Sequence, residues 1–552
     1  MKGMTAMNND AIYITGHQHP DTDSIASAIA YAFFKKARGI KAIPCRLGPV
    51  NNETAYLLKR FGFEEPYLLK DARKTLSEIT MDSPEYITKE TTVLETIRKM
   101  HELDRNSFAV LDDDMKLAGY VSKSDLANIG LSDTAAEIEL LRQTPVEDMA
   151  KSIDGIVLYT DDQTHINGKV SIIALNSSKT EHYDVHNRIV ICGHDPEAFE
   201  DLIRKGAGML IIVWPKEIPQ SVIDTAKEYH CPVIVSGHGT MNTSRYLYLA
   251  PPVKSIMREK VVCFYTSELA DDVTKKMSGS RFRSYPVVNS SNLLIGYVTR
   301  YHLLNYHNKR LILVDHNEFQ HSVDGIVNAP VLEVIDHHRV ADFSTPRPVD
   351  FRNEIVGATS TIIATIFREN MIPFSKDLAG LLLGGILSAT VNLQAPTTTE
   401  RDIETANILA AMADLRLDAF SHEMFSLDTE VRDKMVDEMI SHDMIFRDIC
   451  GTRVVFGRVN VSDIETYRQD TLDVRERLQS YCRSRNLDLC ILAFVSALEN
   501  GCILYCAGEK ADWALEAFPN RPGEENSFQE GILSRSSQII PRMTEVIEKY
   551  AL

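Results

Sequence analysis

The sequence has no excess of positive charge. Its 59 Lys and Arg residues are outnumbered by 77 Asp and Glu residues, which gives a formal net charge of −18. Negative charge of this size argues against a general binder of nucleic acid or of a membrane surface. An anionic substrate can still bind such a chain where metal ions or local basic side chains reverse the field.

The sequence also lacks paired cysteines and long apolar runs. Its nine cysteines are scattered, without the paired spacing of a zinc finger. An odd number of unpaired cysteines is typical of free thiols in a reducing compartment, so we predict a cytoplasmic protein. No apolar run is long enough to cross a bilayer. Residues 1–10 are polar and predict no secretion signal.

The segment GHQHPDTDS at residues 16–24 is the first feature that points to chemistry. It lies between a short apolar run and an alanine-rich amphipathic run, an order that predicts a strand, a tight loop and a helix. Ligands of open α/β sheets bind at the carboxyl ends of strands, where His17, Asp21 and Asp23 would lie. Imidazole with several carboxylates suits a divalent metal, with Mn or Mg favoured over a thiolate-type zinc site. The alternative is that Asp21 or Asp23 only caps the helix.

Three later apolar runs of buried-strand length also end in polar residues. They are residues 311–314 before the letters DHNE, residues 331–335 before DHHR and residues 381–387 before SAT. We interpret all three as strands of one sheet. Asp315, His337 and His338 would then lie at the edge that carries residues 16–24, which we name the metal loop. Independent helix caps would not be expected to repeat this pattern, so the sequence predicts a metal site.

These motifs occur together with GPVNNETAYLL at residues 48–58 and GILSRSSQIIP at residues 531–541. The set resembles the DHH phosphoesterases and, within them, the family II manganese-dependent inorganic pyrophosphatases. The resemblance covers nearly the whole chain. It implies an α/β fold in which a doubly wound DHH domain is interrupted by a CBS–DRTGG–CBS regulatory insert and followed by an α/β DHHA2 domain. It also implies a homodimeric enzyme that hydrolyses pyrophosphate to two phosphates.

The resemblance implies two metal sites that share one carboxylate. His17, Asp21 and Asp315 would hold the first ion, and Asp23, Asp315 and His337 would hold the second. Mn²⁺ or Co²⁺ is the expected ion, and Mg²⁺ could enter with the substrate. Two such ions about 3.5–4 Å apart can bind phosphoryl oxygens and hold a bridging hydroxide as the nucleophile.

The resemblance also assigns two residues to the substrate. His338 would contact the substrate or assist the leaving phosphate. Arg535 would bind a terminal phosphoryl group, for which the guanidinium fork is suited. The alternatives are a packing role for His338 and a surface ion pair for Arg535.

The chain departs from the family pattern mainly in its charges. Ala389 stands where the family has an Asp ligand of the second metal, and Gln394, Ser536 and Met444 stand where it has lysines. Each change removes charge from a site for a polyanion. Two alternatives to an active pyrophosphatase therefore stay open. One is a weakened or inactive nucleotide-sensing homologue, and the other is a phosphoesterase for a less charged substrate.

The middle of the chain is expected to be an insertion with cores of its own. After the first domain begins, the next strand with an acidic end starts only at residue 311, too far for a direct connection. Within this stretch two copies of a β-α-β-β-α order begin at residues 76–81 and 253–257. The two copies resemble CBS modules, and the alternating strands and helices between them resemble a DRTGG domain.

CBS modules pair and bind adenine nucleotides such as AMP, ADP, ATP or diadenosine polyphosphates. The resemblance places Ser122 and Asp125 of the first module against phosphate and ribose. In the second module Arg283, Thr299 and Arg300 would face phosphate. The alternative for Ser122 and Asp125 is capping of the following helix, a role that can coexist with binding.

With 552 residues the chain is too long for a single core. The predicted boundaries are 1–69 and 307–425 for the two parts of the DHH domain, 70–130 and 251–306 for the CBS modules, 131–250 for the DRTGG-like domain and 426–552 for the DHHA2 domain.

Overall fold

The computed structural model describes residues 11–127, 129, 134–173, 184–193, 196–280, 282–340, 344–426, 444–461, 463–468, 471–522, 524 and 526–551. The polar segment 1–10 lies outside these ranges. The chain forms two compact units, Met1–Lys74 with His307–Leu552, and Thr75–Tyr306. The second unit interrupts the first. Among the described residues, no helix has the length and apolar composition that a membrane span requires.

The first domain of the larger unit is built on a six-stranded sheet in which all neighbouring strands are parallel. Its spatial order is Asp350–Asn353, Val331–Asp336, Arg310–Val314, Ile12–Thr15, Ala42–Arg46 and Tyr67–Leu68. The first strand pairs directly with a strand from beyond the insertion, through Tyr13 and Leu311. The predicted doubly wound sheet is therefore confirmed, and its parallel strands bring their carboxyl ends to one edge.

Helices pack on this sheet and form the core with it. They are Thr22–Ala37, Asn52–Arg60, Thr359–Glu369, Lys376–Ala389, Glu400–Ala413 and Leu417–Phe425, with 3₁₀ turns at Phe319–His321 and Ile326–Asn328. The helix that follows the metal loop is buried almost all round, because its small residues let neighbours approach closely. Ala26 and Ala28 pack in one cluster with Ile14 of the sheet and Leu383 of another helix.

One predicted strand is wrong, because residues 381–387 lie inside the helix Lys376–Ala389. Ser375 caps this helix by accepting a hydrogen bond from the Leu378 N–H at 3.1 Å. The run is apolar because the helix is buried between other helices, and periodicity alone does not separate such a helix from a buried strand. A Cβ at Gly385 would lie 2.4 Å from the Ser360 Oγ. Glycine thus permits this close helix contact.

The second domain of the larger unit contains a five-stranded sheet and its own helices. The strands are, in spatial order, Met444–Ile449, Thr452–Asn460, Leu489–Ser496, Gly501–Ala507 and Gln529–Glu530. The helical segments are Ile464–Arg468, Thr471–Ser484, Ala511–Trp513, Ala514–Ala517, Arg535–Ile539 and Ile540–Ala551. One of its two apolar clusters includes Val391 and Ala395 from the first domain. The two domains therefore share a packed contact.

The smaller unit contains two three-stranded modules around a five-stranded central domain. The modules consist of strands Tyr86–Thr88, Ser107–Leu111 and Leu117–Ser122 with helices Val93–Glu102 and Lys123–Ala127, and of strands Phe264–Tyr265, Ser284–Val288 and Leu294–Thr299 with helices Ala270–Ser278 and Arg300–Asn305. The 3₁₀ turns Leu76–Glu78 and Val253–Ser255 precede them. Leu76 packs in the core of the second module and Val253 in the core of the first. The predicted repeat is confirmed, and the two modules exchange their leading segments.

The central domain alternates strands and helices, as the sequence predicts. Its strands are, in spatial order, Ile156–Tyr159, Val233–Ser236, Met209–Val213, Ile189–Cys192 and Val170–Ile173. Its helices are Thr134–Arg142, Val146–Ser152, Pro196–Arg204, Gln220–Glu228 and Thr240–Leu247.

Candidate metal centre

The metal loop is shaped by a glycine and a helix cap. A Cβ at Gly16 would lie 2.6 Å from the Ser24 Cβ, so a side chain at this position would require the loop to shift. The Asp21 Oδ1 accepts a hydrogen bond from the Ser24 N–H at 2.9 Å, which is the cap that the sequence offered as the alternative. The other oxygen of Asp21 lies 3.8 Å from the His17 Nε2. The cap therefore occupies one oxygen of Asp21, and the other oxygen faces His17.

Asp315 is the centre of the site. It is buried and follows its strand with a left-handed backbone, at φ 63°. Its Oδ2 lies 3.5 Å from the His17 Nε2, and its Oδ1 lies 3.4 Å from the His337 Nε2. Hydroxyl groups donate to the same carboxylate, from Ser24 at 2.5 Å and from Thr359 at 2.9 Å. One carboxylate thus stands between two imidazoles.

In the described part of the chain, the potential ligand atoms form two groups, and within each group all atoms lie within 4.8 Å of one another. The groups are His17, Asp21 and Asp315, and Asp315, His337 and His338. The first group is the set predicted for the first ion. The second group contains His338 in the place where the sequence predicts Asp23.

Asp23 is buried and faces the helix Thr359–Glu369. Its two oxygens accept hydrogen bonds from the N–H groups of Thr359, at 2.7 Å, and Ser360, at 2.9 Å. These N–H groups belong to a helix N-terminus, where they have no partner within the helix and where negative charge is favourable. Asp23 therefore stabilises the start of a second helix, whose Thr359 hydroxyl contacts Asp315.

The charges of the site shift the pKa values of its imidazoles. Burial lowers the pKa of His17, but the hydrogen bond and charge of Asp21 and the charge of Asp315 outweigh it and raise the pKa to about 9. Burial likewise lowers the pKa of His337, and the hydrogen bond and charge of Asp315 raise it to about 10. A metal ion binds deprotonated imidazole, so its binding should release protons and become tighter as the pH rises.

The donor set fits a divalent ion of the manganese or cobalt type, which accepts imidazole and carboxylate ligands together. The His337 ring is oriented for this purpose, because its Nδ1 lies 3.0 Å from the Val356 carbonyl oxygen, to which it can donate. Such a contact fixes the tautomer in which Nε2 carries the lone pair. Nε2 is also the atom that faces Asp315.

The sequence motifs gave no role to Asp336, which orients His338. Asp336 is fully buried, and its Oδ1 lies 2.8 Å from the His338 Nδ1 and accepts the His338 N–H at 3.2 Å. The Asn317 carboxamide donates to the other oxygen at 2.6 Å. Burial lowers the pKa of His338, but the hydrogen bond of Asp336 outweighs it and the pKa is raised. The sequence does contain a signal for this residue, because Asp336 is the first letter of the motif DHHR.

Glu53 brings a further carboxylate to the metal loop and was also missed. Its Oε1 accepts a hydrogen bond from the Thr22 hydroxyl at 2.5 Å. Burial raises the pKa of Glu53, and hydrogen bonds from Ser388 and Thr22 act in the opposite direction. Glu53 therefore connects the metal loop to the residue before Ala389. Glu53 lies in the segment GPVNNETAYLL, which supports the family resemblance but predicts no role for this residue.

The predicted phosphate-binding positions lie in both domains of the larger unit. Arg535 is half-buried at the start of the segment Arg535–Ile539, and its Nη1 donates to the Phe456 carbonyl oxygen at 3.5 Å. Gln394 and Ser536 are exposed. Ala389, the position of the missing ligand, is half-buried at the end of its helix.

In the smaller unit the predicted nucleotide residues of the first module cap a helix. The Ser122 hydroxyl donates to the Asp125 Oδ2 at 2.6 Å, and the Ser122 N–H donates to the same oxygen at 3.0 Å. The capping role offered as the alternative is therefore present. Asp125 also forms an ion pair with Arg258, whose Nε and Nη2 both donate to the Asp125 Oδ1, at 2.9 and 2.6 Å.

Arg258 lines a small open pocket between the modules. The pocket is lined by Tyr120, Arg258, Lys260, Val261, Val262, Phe282 and Ser284. Arg283, between two of these residues, is exposed, whereas the Arg300 guanidinium donates to the Ser280 carbonyl oxygen at 2.7 Å. Thr299 caps its helix together with His302. Of the predicted residues, Asp125 contacts the lining of the pocket, through Arg258.

Two family models match the chain. The model of the DHH family, N-terminal domain, matches residues 11–386, and the model of the DHHA2 domain matches residues 422–546. The chain is 33% identical over 548 residues to the cobalt-dependent inorganic pyrophosphatase of Clostridium perfringens, with 98% of each chain covered. It is 28% identical to a Thermotoga maritima protein named "Probable manganese-dependent inorganic pyrophosphatase", with 98% of this chain and 99% of the relative covered.

A solved structure is similar to the smaller unit. It is the crystal structure of the CBS and DRTGG domains of the regulatory region of Clostridium perfringens pyrophosphatase, complexed with the activator diadenosine tetraphosphate. It covers 41% of this chain and 99% of its own, with 22% identity and a TM-score of 0.36.

Proposed function

The chain belongs to the DHH family of inorganic pyrophosphatases, and from this premise we propose that it hydrolyses pyrophosphate to two phosphates with Mn²⁺ or Co²⁺. The observation that carries the proposal is the Asp315 carboxylate, 3.5 Å from the His17 Nε2 and 3.4 Å from the His337 Nε2. The full-length relatives are named as pyrophosphatases, which favours this function over a nucleotide-sensing homologue or a phosphoesterase for a less charged substrate.

His17, Asp21, Asp315 and His337 would hold the ions, with Asp315 as the shared ligand. When bound, the ions would neutralise charge on the phosphoryl oxygens and activate water as the nucleophile. Mg²⁺ is the proposed companion of the substrate. Asp23 supports this set by fixing the helix whose Thr359 hydroxyl donates to Asp315. Asp23 stays a proposed ligand of the second ion, because each of its oxygens can accept its N–H hydrogen bond and still offer a lone pair to a cation.

His338 is proposed as the group that contacts the substrate and protonates the leaving phosphate. Asp336 holds its Nδ1, which leaves Nε2 to face the substrate. The raised pKa keeps the ring protonated to a higher pH than an isolated imidazole, and this suits a proton donor at neutral pH. Arg535 is proposed to bind a terminal phosphoryl group.

Phosphate release tests the proposed function directly. Metal-free protein should be inactive, and Mn²⁺ or Co²⁺ should restore hydrolysis of pyrophosphate more effectively than Mg²⁺ alone. A generic phosphodiester should be hydrolysed far more slowly under the same conditions, because it cannot present two adjacent phosphoryl groups. Faster hydrolysis of the diester, or no release of phosphate from pyrophosphate with any of the three ions, would contradict the proposal.

We propose that adenine nucleotides regulate the enzyme at the pocket of the smaller unit. The pocket offers the cations of Arg258 and Lys260 for phosphate and the rings of Tyr120 and Phe282 for a base. The Arg258 guanidinium lies over the Phe282 ring, with 5.8 Å between its carbon and the ring centroid. Asp125 acts in this scheme mainly by holding Arg258, and Ser122, Arg283, Thr299 and Arg300 remain proposed contacts.

Asp125→Ala should weaken binding of AMP or ADP by about tenfold, because loss of one charged hydrogen-bond partner costs about 1.5–3 kcal/mol. Asp125→Asn should weaken it less, since the carboxamide oxygen can still accept the hydrogen bonds of Arg258. Isothermal titration calorimetry on the full chain measures both affinities. Asp114→Ala is the control, because Asp114 is exposed in the same module. Equal AMP affinity in all three variants would contradict the assignment.

A homodimer and a cytoplasmic location are further proposals. All nine cysteines are free thiols in the structure, which is what a reducing compartment maintains. Light scattering of the purified chain would measure the oligomeric state.

A further inference from the structure

The three side chains proposed to hold the second ion all contact one short segment of the chain. It is residues 356–361, which lead into the helix Thr359–Glu369 and which we name the support loop. Its carbonyl, hydroxyl and N–H groups each contact one of these side chains, namely His337, Asp315 and Asp23. The position of the support loop therefore affects every proposed ligand of the second ion.

The support loop is itself held by a buried carboxylate, Asp402, of the helix Glu400–Ala413. The Asp402 Oδ2 accepts the Gly357 N–H at 2.7 Å, and its Oδ1 accepts the Thr361 hydroxyl at 2.6 Å. These two contacts lie on either side of the residues that face Asp23 and Asp315. One carboxylate thus fixes the part of the loop on which the metal ligands rest.

Asp402 also caps its own helix. Its Oδ2 accepts the N–H and the hydroxyl of Thr399, at 2.8 and 2.7 Å, in a capping box. Capping explains these contacts with Thr399. It does not explain the contacts with Gly357 and Thr361, which lie 45 and 41 residues from Asp402 in the chain. Asp402 therefore does more than begin a helix.

The support loop approaches Asp402 closely because it contains a glycine. A Cβ at Gly357 would lie 2.7 Å from the Thr390 Cγ2 and 3.1 Å from the Asp402 Oδ2. The Gly357 N–H and the Thr361 hydroxyl are both buried, and a buried polar group without a partner is costly. The loop should therefore shift towards other partners when the carboxylate is removed.

We propose that Asp402 is a positioning residue of the second metal site, which holds the support loop where the loop orients the three ligands. This inference rests on the proposed function and deepens it. It requires no contact between Asp402 and an ion. The effect should fall mainly on the second ion, because the first ion shares only Asp315 with this set and takes its other ligands, His17 and Asp21, from the metal loop.

Asp402→Ala should weaken binding of the second Mn²⁺ by about 10–100-fold, the usual effect of removing a group that orients metal ligands. Binding of the first Mn²⁺ should change less. Asp402→Asn should keep most of the affinity, because its carboxamide oxygen can accept the N–H groups of Gly357 and Thr399. Its NH₂ group can donate to the Thr361 hydroxyl, which can also accept. Calorimetric titration of the metal-free full chain with Mn²⁺ measures both ions.

Thr361→Val and Thr399→Val form a matched pair, because each replaces with a methyl group one hydroxyl that donates to Asp402. Only Thr361 belongs to the support loop, so Thr361→Val alone should weaken binding of the second Mn²⁺. Thr399→Val should lower the unfolding temperature of the metal-free chain and leave both Mn²⁺ affinities unchanged. This pair decides the question if Asp402→Ala does not fold.

Equal affinity for the second Mn²⁺ in the wild type, Asp402→Ala and Thr361→Val would overturn the positioning role. Equal losses of affinity in Thr361→Val and Thr399→Val would also overturn it, because the affinity would then follow the stability of the helix cap. These measurements need no turnover. A wild type that binds Mn²⁺ but releases no phosphate from pyrophosphate would therefore overturn only the proposed function.

Discussion

Asp315→Asn should reduce pyrophosphate turnover by about a thousandfold or more, since changes to groups that merely support a ligand already cost about 10–100-fold. The substitution keeps the size of the side chain but removes the charge between the His17 and His337 rings, which lie 3.5 and 3.4 Å from its oxygens. Both proposed ions would lose their shared ligand. Calorimetric titration of the metal-free protein with Mn²⁺ should then show no tight site.

The control for Asp315→Asn is Asp350→Asn, an exposed carboxylate on the edge strand of the same sheet. It should bind Mn²⁺ as the wild type does. Thermal unfolding of both variants would separate loss of the site from loss of the fold. Tight Mn²⁺ binding that survives in Asp315→Asn would show that this carboxylate is not the shared ligand.

Ala389→Asp should tighten binding of the second Mn²⁺ by about a hundredfold, or about 2.7 kcal/mol, and should raise pyrophosphate hydrolysis by at least about tenfold. Position 389 lies one helical turn after Gly385, on the same face. A Cβ at Gly385 would lie 3.2 Å from the Asp23 Oδ1, so a carboxylate at 389 would face the metal loop. It would supply the ligand that the second site lacks.

Without metal, the carboxylate of Ala389→Asp should lower the stability of the fold. An added charge close to Asp23, Asp315 and Glu53 would repel them, so the metal-free variant should unfold at a lower temperature than the wild type. Ala389→Asn is the matched control, because it has the same size without the charge and should show neither effect. Equal Mn²⁺ affinity in the Asp and Asn variants would mean that position 389 does not face the second ion.

Much of the site could be predicted from sequence because its residues follow strands of a parallel sheet. His17, Asp315 and His337 come within two residues of the apolar runs, and parallel strands bring such positions to one edge whatever their separation along the chain. The same reasoning explains why the strands predicted at residues 311–314 and 331–335 agree with the strands of the structure.

The apolar run at residues 381–387 could not be assigned in the same way. A helix that is buried on all sides has no polar face, so its sequence carries no period of 3.6 residues. The segment was therefore predicted to be a strand, although it ends at the same site. Only the neighbouring helices, which approach closely at Gly384 and Gly385, decide that it is helical.

The sequence alone determined the class of chemistry, the interruption of the first domain by a repeat, and the residues that gather at the sheet edge. These features follow from the order of apolar and polar residues within each segment, which can be read without knowing how the segments pack. The tertiary structure decided where each polar atom points. It turned Asp23 toward the N–H groups of Thr359 and Ser360 and placed Asp336 behind His338. It also brought the Glu53 carboxylate to the Thr22 hydroxyl, because contacts between separate segments depend on how the elements pack.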